Sequence, residues 1–242
     1  MARKPARKPA PNPASKSTRS SGGGSAASAG DRDKIIAAFL GLLTEKRFEQ
    51  IGLAEVAASA GVSLAQLRGE FGSTLAILAA HIKAIDRAVL AEDLSDMEEE
   101  PPRERLFDVL MRRLEKLAPY RDAVRSLFRS ASRNPPLALA LNGLAVRSQQ
   151  WMLTAAGGTA SGPLGMIRAQ GLAVLFGSVL RTWVQDEDPG MARTMAALDR
   201  ALSRGQRFAG LLDDLCRVPS RLCRLRPRRR RRSEDAEDSA AA

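Results

Sequence analysis

Residues 53–71, LAEVAASAGVSLAQLRGEF, decide the fold. Val56, Ala57, Ala60, Val62 and Leu67 are apolar at the spacing that lets two short helices close on one small core. Ala57 is small, so the second helix can cross close by. Gly61 stands where the turn passes through the left-handed region, which glycine enters without strain. Ser63 and Gln66 make a capping box that restarts the chain as a helix. The spacing predicts a helix-turn-helix, and the second helix of such a unit can lie in a DNA major groove.

Upstream, Asp31–Arg47 is predicted to be an amphipathic helix with Ile35, Ile36, Phe39, Leu40 and Leu43 on one side. Downstream, Phe71-Gly72-Ser73 leads into a long helix with Ser73 as its N-cap. The order is a helix, then Phe48-Glu-x-Ile-Gly-Leu-x-Glu-Val-Ala57, Ala60-Gly-Val-Ser63, Phe71-Gly-Ser73 and a long helix. Over residues 31–90 it resembles the N-terminal domain of TetR-family regulators. The resemblance implies an all-α fold, in which a three-helix DNA-binding domain joins a larger helical ligand-binding and dimerisation domain. The expected division is a disordered basic arm over 1–30 and the helix-turn-helix domain over 31–78. The ligand-binding and dimerisation domain follows over 79–216, and an Arg-rich then acidic tail over 217–242. The DNA contacts it implies are Ser63, Leu64, Gln66, Arg68 and Thr74, with Gln66 and Arg68 reaching bases or phosphates and Ser63 and Thr74 at helix starts. One stretch departs from the family. Where TetR-type recognition helices commonly end Leu-Tyr-x-His/Tyr-Phe, this chain has Leu67-Arg68-Gly69-Glu70-Phe71. Gly69 weakens the helix, and Glu70 is expected to bring an anion towards an anionic partner.

The formal net charge of +11 sits entirely on the two ends of the chain. Residues 1–30 hold six Lys/Arg and no acids, and residues 217–242 hold nine Arg and four acids. Residues 31–90 balance seven basic against seven acidic side chains, so the expected electrostatic pull towards phosphate comes from the tails. The N-terminal arm has no apolar run behind its basic residues and does not read as a secretory signal. Two cysteines, Cys216 and Cys223, are too few for a disulfide framework and read as reduced thiols of a cytoplasmic protein. The most apolar run, Gly171–Leu180, is about half the ~20 residues a membrane span needs, so no integral membrane segment is expected.

The rest of the body reads as helices broken at Pro101-Pro102, Pro119, Pro135-Pro136, Gly157–Pro163 and Asp186–Pro189. Phe107, Met111, Phe128, Leu144, Trp151, Met152, Phe176 and Trp183 are candidates to line an apolar ligand cavity, with Arg147, Gln150, Gln170 and Arg181 to orient the ligand. The alternative for each apolar position is core packing. The last two helices are apolar over more than a narrow stripe, which points to a homodimer through a four-helix bundle. Its expected interface is Leu180, Met191, Met195, Leu198, Leu202 and Phe208.

The single histidine, His81, reads as an exposed or partly packed helix residue and cannot support a Cys–His or Ser–His–Asp set. The sequence offers no cofactor motif and no metal-ligand set, and no enzyme activity is expected. A second resemblance lies in Trp183-Val-Gln-Asp-Glu-Asp-Pro189, Thr194 and Leu198-Asp-Arg200, with Trp151 upstream. This region is similar to the C-terminal part of the TetR-like lipid-binding proteins of ubiquinone biosynthesis. In the matching stretch, Gly157–Met166 lacks their acidic, Trp/Tyr-bearing segment. Two functions follow: a dimeric DNA-binding regulator switched by a small apolar ligand, or a lipid- or quinone-binding accessory protein of ubiquinone biosynthesis that keeps the fold and has lost specific DNA reading.

Overall fold

A computed structural model of the chain describes residues 23–93, 97 and 99–222, with side chains described between residues 30 and 207 of that span. The expectations placed on residues 1–22, on the tail from residue 223, and on the side chains of Phe208 and both cysteines lie outside the described residues.

Nine α-helices follow one another among the described residues, with no strand. They are α1 (Gly23–Glu45), α2 (Leu53–Ala60), α3 (Leu64–Glu70), α4 (Thr74–Leu90), α5 (Pro102–Leu117), α6 (Arg121–Ala131), α7 (Pro135–Ala155), α8 (Gly162–Trp183) and α9 (Ala192–Leu222). Local chemistry sets most boundaries. Gly61 ends α2 at φ 66°, and the Ser63 and Ser73 hydroxyls accept the N–H of Gln66 (3.2 Å) and Ala76 (3.1 Å) to open α3 and α4. Asn134 caps α7 through the N–H of Leu137 at 3.1 Å. Pro102, Pro135, Pro136 and Pro163 occupy first turns, where a missing N–H costs nothing. Fully buried Asp186 accepts the Thr194 N–H (2.9 Å) and hydroxyl (2.6 Å) at the start of α9. The ends of the long helices differ from expectation. α1 begins inside the stretch read as an arm, and α9 runs past residue 216.

The helices enclose two cores. In the first, Ile35, Phe39 and Leu43 of α1 meet Val56, Leu67, Phe71 and Ile77. In the second, Leu110 and Leu114 meet Met152, Phe176, Trp183 and Leu198. Tyr120 packs against both. At about 25 cal/mol per Å² of apolar surface, each fully buried Leu, Ile or Phe contributes roughly 1.5–3 kcal/mol.

Two expectations are corrected here. His81 is buried, not exposed: its ring meets Tyr120 edge-on at 4.4 Å, because α4 is covered along that face by α5 and α7. Leu198 and Leu202 are also buried within their own chain, at 1% and 6% exposure, since α9 packs this stripe onto α8 and α5. They are core residues, not interface residues.

α8 is the one described helix long and apolar enough to cross a membrane by length and composition. Its apolar residues divide between an inner face, with Leu172, Phe176 and Val179 buried, and an outer face, with Leu164, Ile167 and Val174 exposed.

Candidate functional site

The helix-turn-helix is built as the sequence requires. The Val62 N–H reaches back to the Ala57 carbonyl at 3.0 Å across the Gly61 turn, and Ala57 is buried against α1. The box at the start of α3 is complete, because the Gln66 Oε1 accepts the Ser63 N–H at 2.9 Å. Only Leu67 of α3 is buried, so the outer face presents Leu64, Ala65, Gln66, Arg68 and Gly69 to solvent, with Leu64 56% exposed. Thr74 lies half-buried in the first turn of α4.

The middle of α1 braces this helix, which the sequence did not disclose. Gln66 Nε2 donates to Asp31 at 3.0 Å. Arg32 pairs with Glu70 at 3.2 Å and lies over the Phe71 ring, 4.5 Å from its centroid. Glu70 is therefore matched by a cation and is not a bare charge. Arg68 extends across Gly72, where a Cβ would stand 3.3 Å from its Nη1. The Gly72 of the Phe-Gly-Ser turn thus leaves room for that guanidinium.

The expected ligand residues do not form one group. Met111, Met152, Phe176 and Trp183 are close-packed in the second core, with Phe107 against its edge. Leu144 packs on the first core instead. Phe128 lies under Arg181, whose guanidinium is 5.7 Å from the ring. Trp151 is 56% exposed, because it stands next to inward-facing Met152 and about 100° further round the helix. Of the expected orienting groups, Gln170 is engaged elsewhere: it and Asn142 exchange hydrogen bonds at 3.0 Å between α7 and α8.

A different polar cluster sits inside the second core. Arg113 of α5 pairs with Asp86 of α4 at 3.2 Å, and Ser148 of α7 donates to the same carboxylate at 2.7 Å. All three are buried, and the Arg113 guanidinium lies 5.3 Å from the Phe176 ring. Burial pushes the Asp86 carboxyl up and the Arg113 guanidinium down, and each partner's charge opposes the shift. Arg113 Nε and Nη1 and Gln149 Oε1 find no hydrogen-bond partner among the described residues. Such a group is able to orient the polar end of an apolar molecule entering this core. Sequence patterning could not find it, since charged residues on helices default to solvent. Among the described residues no three His, Cys, Asp or Glu side chains group as metal ligands.

The backbone is similar to that of the TetR transcriptional regulator from Nitrosomonas europaea (TM-score 0.55, 20% identity, 72% of this chain and 97% of that one). It is similar also to a TetR transcriptional regulator from Rhodococcus sp. RHA1 (TM-score 0.52, 22% identity, 73% of this chain and 96% of that one). No family model and no curated protein matches the sequence. The chain has the TetR fold: an all-α body with a helix-turn-helix near its N-terminus.

Proposed function

We propose that this chain is a dimeric DNA-binding transcriptional regulator whose α3 enters the major groove and whose helical body takes a small ligand with an apolar body. The observation that supports this best is α3 itself. It is capped at its start, braced from behind by Asp31 and Arg32, and exposed along its outer face. Leu64, Gln66 and Arg68 are the proposed base and backbone contacts, with Ser63 and Thr74 at the phosphates. The ligand would have to part the close-packed Met111, Phe176 and Trp183, with its polar end at Arg113, and would shift the populations of arrangements that space the two recognition helices differently. Arg68→Ala should weaken binding to a selected operator by about 1–3 kcal/mol in fluorescence anisotropy at fixed salt. Equal affinity of the two proteins would remove α3 from the interface.

The dimer is assigned to the outer face of α8. Leu164, Ile167, Gly171 and Val174 follow heptad spacing there, with Val174 61% exposed, and Met195 of α9 is exposed as well. A stripe of this kind on a helix already packed on its other side fits an isologous contact. Leu180 and Met191 are half-buried against the second core.

The lipid- or quinone-binding reading is favoured by one observation: Leu139, Trp151 and Met166 expose apolar surface on α7 and α8. Co-sedimentation with neutral vesicles that is lost in Trp151→Ala, together with no DNA selection, would favour it.

A further inference from the structure

A cavity of about 300 Å³ opens where the C-terminal end of α1 meets α6. Lys46 and Arg47 line it from one side and Arg129 and Arg133 from the other, with the Ser126 and Ser132 hydroxyls among them. Glu45 is the only carboxylate in the lining. Lys46 is already paired with Glu55, and the charge of Arg47 is felt by Glu49. Arg129 and Arg133 form no ion pair among the described residues. The lining thus carries four solvent-exposed cations against one carboxylate, and a bound anion would lessen their mutual repulsion.

The cavity is distinct from the α3 surface. Arg32, which braces α3, and Lys46 are fourteen residues apart on or just beyond α1, about 21 Å at 1.5 Å per residue. Its two walls both pack into the first core and are stitched together beside it. Ser126 donates to the Lys46 carbonyl at 3.0 Å, and the Phe48 N–H donates to Ser130 Oγ at 3.1 Å. An occupant touching both walls would therefore report on, and fix, the position of α1 against α6.

We propose that this cavity binds a small phosphate-bearing polyanion of the pyrophosphate or nucleoside diphosphate class, and that occupancy ties α1 to α6. Three guanidinium groups are in the lining, a guanidinium fork matches phosphate oxygens, and the lining's four cations outnumber its one carboxylate. The volume exceeds what one simple inorganic ion fills and lies at the lower end of small-molecule sites.

Calorimetric titration of the full-length chain with sodium pyrophosphate and, separately, with ADP tests this at fixed pH and ionic strength. Saturable binding of one molecule per chain, with Kd below about 1 mM, is expected for at least one probe. Tighter binding of pyrophosphate identifies an inorganic ligand, and tighter binding of ADP a nucleotide; both support the site. The double variant Arg129→Gln/Arg133→Gln should bind at least tenfold more weakly while keeping the wild-type melting temperature without ligand. Arg204→Gln, on α9, should bind as wild type. No saturable heat with either probe overturns the proposal. So does unchanged binding by the double variant, which would assign the anion to the Arg-rich tail. A double variant that melts early is replaced by Arg133→Lys, where the lost fork alone should weaken binding severalfold; equal affinity there also overturns the site. The readout is binding and not DNA affinity, so its failure leaves the DNA reading untouched.

Discussion

Arg32 controls what α3 shows to solvent. It neutralises Glu70 and covers Phe71, so one side chain both fixes the end of the helix and removes a negative charge from the proposed DNA face. The pair is partly exposed, with Arg32 at 43% and Glu70 at 19%, so its worth is modest. Arg32→Ala should lower stability by only about 1 kcal/mol in urea denaturation. Its effect on DNA affinity should be larger than that of Glu70→Gln, which leaves Arg32 in place; anisotropy on one duplex compares them. His81 gives the second residue-scale prediction. Burial lowers its pKa from 6.5 to about 4, so the native state keeps it neutral while the unfolded chain protonates it. The unfolded state then binds the extra proton between those values. The resulting stability is complete above pH 6.5 and is lost as pH falls through the window, by up to about 1.4 kcal/mol per unit and roughly 3 kcal/mol in all. It is the only histidine, so the slope of stability between pH 6.5 and 5 should flatten in His81→Leu. An unchanged slope would move the titration to other groups.

Among the helices, α8 and α9 separate core from surface. Leu198 is buried with Trp183 and Phe176, whereas Val174 points away from both cores. Leu198→Arg would bury a charge without a partner and should unfold the chain. Leu198→Ala should cost about 2–5 kcal/mol in thermal or urea unfolding. Val174→Arg should leave the melting profile of the monomer intact and change the molar mass in light scattering from dimer to monomer. A stable Val174→Arg dimer would place the contact on another face. Sequence periodicity found every helix of the body, because proline and glycine breaks and i, i+3, i+4 apolar spacing are local signals. It did not say which apolar face of α9 turns inward, since Met195 and Leu198 are both apolar and only the path of α8 decides between them. The same limit hid Asp86, Arg113 and Ser148, whose burial depends on three helices meeting, and Asp31 and Arg32, whose partners lie 35 and 38 residues away.

For the molecule as a whole, α1 and α6 pack in the first core, and Tyr120 touches both cores. The turn at Gly61, the caps at Ser63 and Ser73 and the Phe-Gly-Ser entry were all legible from residues 53–74, because each is a short-range constraint. What α3 is proposed to read was not, because recognition depends on side chains whose partner is another molecule. Affinity selection of sheared genomic DNA by the full-length chain, sequenced beside the same selection with Arg68→Ala, tests the central claim most directly. The account predicts that the wild type enriches two-fold symmetric sites whose half-sites lie about one helical turn (~34 Å) or a multiple apart, and that Arg68→Ala loses that enrichment while keeping salt-sensitive, sequence-independent binding. Recovery of no common site, or of the same site by both proteins, would contradict it.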